Sequence, residues 1–179
     1  LRSGIMLPDS IRHLKGEDLK NAIPDKIYIS LKDMRILTKV DMLMLEMLAN
    51  CNWERPLYMA ISVGEVSKLK FDHYFVQEGL AFRFTPFDYK KWGNVKGDNN
   101  YAIDVERLYE NVMNRYKYGG LDTPGLYLDE TTLRTCYYHR RLFAQLAKEL
   151  IRQGDNTRAR KVLAYAEQAV PAYNVPEIY

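Results

Sequence analysis

The chain has 179 residues, of which 47% are hydrophobic and 27% charged. That suits one ordinary domain or two small ones and is too apolar for a disordered chain. A formal charge of +3 is too even for a nucleic-acid footprint, and two cysteines are too few for a disulfide framework or a zinc site. No apolar run approaches the roughly 20 residues that cross a bilayer, and no signal peptide is evident.

Residues 1–25 hold Gly4, Pro8, Gly16 and Pro24 among mixed charges, which predicts an irregular lead-in. Lys26 to Leu31 is short and rich in β-formers, which predicts a strand. Asp33 then stands as a helix N-cap, and Ile36, Leu37, Val40, Leu43, Met44, Met47 and Leu48 recur at helical spacing. Met42 and Leu45 widen that arc, so much of this helix should be buried. Leu57 to Val63 reads as a second strand covered on both faces, which makes a βαβ unit with parallel strands.

Val66 to Gln77 predicts a short helix with Leu69, Phe71, Tyr74 and Phe75 inward, and Leu80 to Phe87 a third strand. Tyr89 to Asn100 is a polar loop. Asp104 caps a helix striped by Val105, Leu108, Tyr109, Val112, Met113 and Tyr116, and Gly119-Gly120 ends it. Thr123-Pro124-Gly125 marks the boundary between an α/β domain over 26–122 and a helical region over 126–179. Asp129 caps a long helix with Leu133, Tyr137, Phe143, Leu146, Ala147, Leu150 and Ile151 on its apolar side, and a second helix runs from about Thr157 to Val170. The expected class is α+β or α/β: a sheet of about three strands packed with helices, then a helical hairpin.

That last pair matches the tetratricopeptide pattern of about 34 residues. In a frame starting at Arg140, the signature positions are Phe143, Leu146, Ala147, Leu150, Gly154, Ala159, Leu163, Ala166 and Pro171. The alanines let two antiparallel helices approach closely while the large residues fill the gap. An ordinary helical hairpin shares much of this pattern. One unit cannot bury its own face, so it must brace against other helices or present a surface to a peptide or partner protein.

The sequence carries little sign of catalytic chemistry. His13, His73 and His139 are scattered and belong to no metal-binding motif, and no P-loop, GxGxxG or GxSxG is present. Asp72-His73 reads as a surface pair or an acid beside a base. Cys51 and Cys136 read as buried free thiols, or as a pair in an oxidising compartment. Gly64-Glu65-Val66-Ser67 follows a strand and opens a helix, a position whose N–H groups could hold an anion. The methionines Met42, Met44 and Met47 suit core filling better than a soft-metal site. No cofactor or metal is expected.

Asn50-Cys51-Asn52-Trp53-Glu54-Arg55-Pro56-Leu57-Tyr58-Met59-Ala60 and Glu78-Gly79-Leu80-Ala81-Phe82-Arg83-Phe84-Thr85-Pro86 resemble two ordered signatures of a family of large bacterial membrane proteins. That family was long catalogued as a domain of unknown function and is grouped with the protein O-mannosyltransferase-like glycosyltransferases. Met59 stands where the family has Phe, and Phe82 where it has Tyr. The resemblance runs from about Ile23 to Pro176, with the repeat in the expected order. It implies a soluble region on the periplasmic side of a Gram-negative inner membrane, following a many-helix catalytic domain that takes a lipid-linked sugar. It carries no catalytic residue into this sequence. The chain then reads as a piece of a longer protein, with a processed complete protein as the other reading.

The signature residues Trp53, Arg55, Pro56, Glu78 and Gly79 have a structural reading beside this. Trp53 can pack over the helix end, Pro56 presets an extended entry to the strand, and Arg55 can pair with Glu78 or cap helix carbonyls. In the functional alternative Arg55 and Arg83, with Gly64, receive an anionic sugar or a lipid phosphate. Three functions follow. The first is a non-catalytic accessory or interaction domain whose partners are its upstream membrane domain and an acceptor protein or peptide. The second is a free-standing tetratricopeptide adaptor, cytoplasmic in that case. The third is a small α/β enzyme or anion-binding domain.

Overall fold

The chain is a mixed α+β protein, and the computed structural model describes residues 7, 11–31, 36–51, 53, 55–63, 69, 71–91 and 101–176. It divides into two units, residues 1–77 with 81–104 and residues 78–80 with 105–179. The division falls at 104/105, so the Asp104-led helix belongs with the helical half rather than with the sheet, as the reading at residues 122–126 had it.

The first unit is built on a four-stranded sheet in the order β1-β3-β2-β4, formed by β1 (Tyr58–Ala60), β2 (Phe75–Gln77), β3 (Ala81–Phe84) and β4 (Ala102–Ile103). β1 and β2 both run antiparallel to β3, and β2 and β4 are parallel. Because side chains alternate across a strand, the register Phe75↔Phe84 and Gln77↔Phe82 places these four residues on one face and Val76 with Arg83 on the other. The first face carries a core of Leu69, Phe71, Tyr74, Phe75, Phe82 and Phe84. Met44, Leu45 and Leu48 of helix α2 (Lys39–Asn50) cover it, together with Ile27 and Ile29. The second core gathers Ile11, Val76, Phe87, Tyr89 and Ala102 under Leu19 and Ala22 of helix α1 (Gly16–Ala22).

Several expectations change here. Lys26–Leu31 packs Ile27 and Ile29 inward but forms no strand, so β-forming residues alone did not set the local structure. Among the described residues the βαβ unit is therefore absent, and β1 pairs antiparallel as an edge strand with Tyr58 and Ala60 exposed. The stretch expected as a helix to Gln77 is instead a 3₁₀ turn (Asp72–Tyr74) leading into the interior strand β2. The irregular lead-in contains α1. Asp33 lies outside the described residues; α2 is capped by Thr38, whose side chain accepts from the Asp41 N–H while the Asp41 carboxylate accepts from the Thr38 N–H. Residues 92–100 of the polar loop are also outside the description.

The second unit is helical. Helix α3 (Val105–Glu110) continues into a π-helical turn (Asn111–Arg115), and α4 (Glu130–Arg152) pairs with α5 (Asn156–Ala169). Asp129 caps α4 by accepting from the N–H groups of Thr131 and Thr132, as expected. Gly154 makes the turn at φ +83°, and Asp155 caps α5 by accepting from the Arg158 N–H. After α5 the chain folds back: Asn174 donates to the carbonyls of Leu121 and Thr123 at 2.8 and 2.6 Å, and Tyr173 to that of Asp122.

Candidate functional site

The second signature is consumed by packing. Glu78-Gly79-Leu80 joins β2 to β3 and counts with the helical unit. The Glu78 carboxylate is buried and accepts from Arg107 of α3 at 3.0 Å. Its carbonyl accepts from Asn111 Nδ2 at 2.6 Å, and the Leu80 N–H donates to Tyr116 Oη at 2.9 Å. Gly79 has φ +149°, and a Cβ there would collide with the Tyr116 hydroxyl. So three consecutive residues are fixed by three different side chains along one helix and its exit. The expected Arg55–Glu78 pair is replaced by Arg107–Glu78, because Glu78 opens a loop that faces α3.

Behind Tyr116 lies an aromatic cluster. Tyr118 donates to the Val112 carbonyl at 2.7 Å, and burial pushes its hydroxyl well above the ordinary tyrosine range. His139 of α4 meets the rings of Tyr116 and Tyr118 at 6.0 and 5.2 Å, and Phe143 and Tyr165 complete the group. Burial holds the His139 imidazole below its usual value, and its Nδ1 has no hydrogen-bond partner among the described residues.

Of the first signature, Asn52 and Glu54 lie outside the described residues. Trp53 stacks on Phe84 of β3 at 5.6 Å, with the planes 6° apart, and adopts φ 59°. Its partner is thus the sheet rather than the helix end. Pro56 is exposed just before β1, where its fixed φ suits extended entry. Arg55 is exposed and makes no ion pair among the described residues, whereas Arg83 is buried in β3 with its guanidinium 5.8 Å over the Tyr58 ring. Burial therefore splits the proposed anion-binding pair. Gly64, with Glu65 to Ser67, lies outside the described residues.

Of the repeat signature, Phe143, Leu146, Ala147, Leu150, Ala159 and Pro171 are buried and Ala166 is half-buried, while Leu163 is exposed and Val162 takes the inward place. Ile151 is likewise exposed rather than on the apolar side. Arg158 ties α5 to α3: it donates to Glu106 and to Asp155 and lies over the Tyr109 ring. Arg140 donates to the Val170 carbonyl. Neither link was legible in the sequence; only the acid–base composition of α3 and α5 hinted at the first.

The remaining candidates are dispersed. His73 lies 3.8 Å from Asp88, not against its neighbour Asp72. Cys51 and Cys136 are free thiols, and burial raises that of Cys136. Among the described residues no group of His, Cys, Asp and Glu could hold a metal ion, and no helix is long and apolar enough to cross a membrane.

A family model described as TMEM260-associated domain 2 matches residues 10–106, just over half of the chain. The chain belongs to that family. The matched stretch takes in the sheet unit from before α1, both signatures and the first residues of α3. Neither the curated proteins nor the solved structures contain a match to the chain.

Proposed function

We propose that the chain is a non-catalytic accessory or interaction domain of a membrane glycosyltransferase-like protein, on the periplasmic side of a bacterial inner membrane. The observation that carries this reading is the fate of the signature residues. Trp53, Glu78 and Gly79 are spent on a ring stack, a buried ion pair and a glycine-only approach. Among the described residues, no group of His, Cys, Asp and Glu side chains converges on a metal-sized site. The resemblance of both signatures to the O-mannosyltransferase-like membrane proteins supplies the parent activity, with the sugar-transfer site outside this chain. Membership of a TMEM260-associated domain family agrees with a domain that accompanies another protein part.

The adaptor reading keeps one observation of its own. Leu163, a large position of the repeat pattern, stands exposed, as a face that stacks on a further helix would.

A photo-crosslinking residue at Arg55 or Arg141, both exposed, tests the proposal in cells carrying the native gene. Attachment to an integral membrane protein, or to membrane-embedded parts of the same polypeptide, supports the accessory role. Capture confined to soluble peptides favours the adaptor. Sugar release from a lipid-linked donor by the purified chain overturns the non-catalytic reading.

A further inference from the structure

Helix α2 carries apolar residues over a wide arc, yet only one side of it is covered. Met44, Leu45 and Leu48 face the core, and Asp41 is buried in the Thr38 capping box. Away from that core Val40, Leu43 and Met47 are 39%, 61% and 59% exposed, and Ile36, just before the helix, is 77% exposed. An apolar arc of a helix ordinarily faces the inside of a structure. Two charges, Lys39 and Glu46, share this open side, and neither makes an ion pair among the described residues. They stand seven residues apart, about 10 Å along the axis, too far to pair with each other within one helix.

The order of these charges selects the occupant. We propose that the outer face of α2 docks against α2 of a second copy of this chain, antiparallel, about a two-fold axis beside Leu43. In an isologous contact residue i meets j and j meets i. With the axis there, Lys39 of each copy comes within one residue of level with Glu46 of the other, Val40 comes equally near Met47, and Leu43 meets Leu43. Two reciprocal ion pairs then flank an apolar centre. The arrangement also accounts for a lysine in the first turn of α2, where the helix dipole disfavours a cation. In the antiparallel pair the negative C-terminal half of the other helix lies beside it.

Sedimentation equilibrium of the full chain over a wide concentration range tests this. The wild type is expected to dimerise reversibly. Lys39→Glu and Glu46→Lys should each weaken self-association by roughly tenfold, the effect of losing two exposed pairs to repulsion. An equimolar mixture of the two variants should restore association as a heterodimer. Leu43→Lys should leave a monomer. All three positions are exposed, so an unchanged thermal midpoint checks the fold. A wild type that stays monomeric at every concentration overturns the proposal. So does a dimer indifferent to these substitutions, or an α2-dependent binding to anionic lipid vesicles by a monomeric chain.

Discussion

Arg107 donates to the buried carboxylate of Glu78 at 3.0 Å, across 29 residues of chain. Removing one member of a buried pair leaves the other charge uncompensated, which costs about 3–5 kcal/mol in full burial. Arg107 is partly exposed, so screening lowers this. Arg107→Ala is expected to destabilise by about 1–3 kcal/mol, and Glu78→Gln in the Arg107→Ala background should recover part of that loss. Urea midpoints of the two variants decide; equal stability of Arg107→Ala and wild type would remove the pair from the account.

Gly79 makes a sharper case. Its φ of +149° favours glycine, and any Cβ meets the Tyr116 hydroxyl. Gly79→Ala should cost about 1–3 kcal/mol through overpacking and strain together. Adding Tyr116→Phe removes the obstructing oxygen and should restore some stability, although the Leu80 N–H then loses its acceptor.

Trp53 combines a ring stack with φ 59°. The left-handed conformation costs a non-glycine residue roughly 1–2 kcal/mol. Trp53→Ala loses the stack and keeps the strain, whereas Trp53→Gly loses the stack and relieves it. Glycine is therefore the less damaging replacement, an inversion of the usual order that thermal midpoints will report.

His139 predicts an acid response. Burial lowers its folded-state pKa below the ordinary value of about 6.5. Above that value both folded and unfolded chains carry neutral imidazole, and there is no penalty. As pH falls through it, the unfolded state takes up a proton that the folded state resists, so stability is lost until the folded value is passed. His139→Gln should flatten the loss of urea stability between pH 7 and pH 5. An unchanged slope would show that His139 does not contribute.

In the helical hairpin, Ala147 is buried and Leu163 is exposed. Ala147→Leu should overpack the pair and cost about 1–3 kcal/mol. Leu163→Ala should stay within about 0.5 kcal/mol, as surface changes do. Equal effects at both positions would contradict the packing of α4 on α5.

Local signals were legible in the sequence. Asp129, Gly154 and the spacing of Phe143, Leu146, Ala147 and Leu150 announced α4, the turn and α5, because caps and 3.6-residue periodicity act within one element. Pairings between elements were not legible. Lys26–Leu31 had the composition of a strand and formed none, while an interior strand, Phe75–Gln77, is only three residues long and continues a helix-like pattern. The apolar breadth of α2 signalled burial, but only its inner side has a cover. At the signatures, the sequence marked Glu78 as a pairing group and missed Arg107, since charge alone does not tell which of many arginines a loop will face.

The interleaving of the two units has a practical consequence for cutting the chain. Residues 78–80 count with the helical unit while both flanking strands belong to the other, so no single cleavage separates the two sets of residues. An expressed fragment ending at residue 106, where the family match stops, retains Glu78 but lacks Arg107, Asn111 and Tyr116. Such a fragment would lose the three side chains that hold residues 78–80. A boundary after the π-helical turn, past Tyr116, keeps all three anchors with the residues they hold.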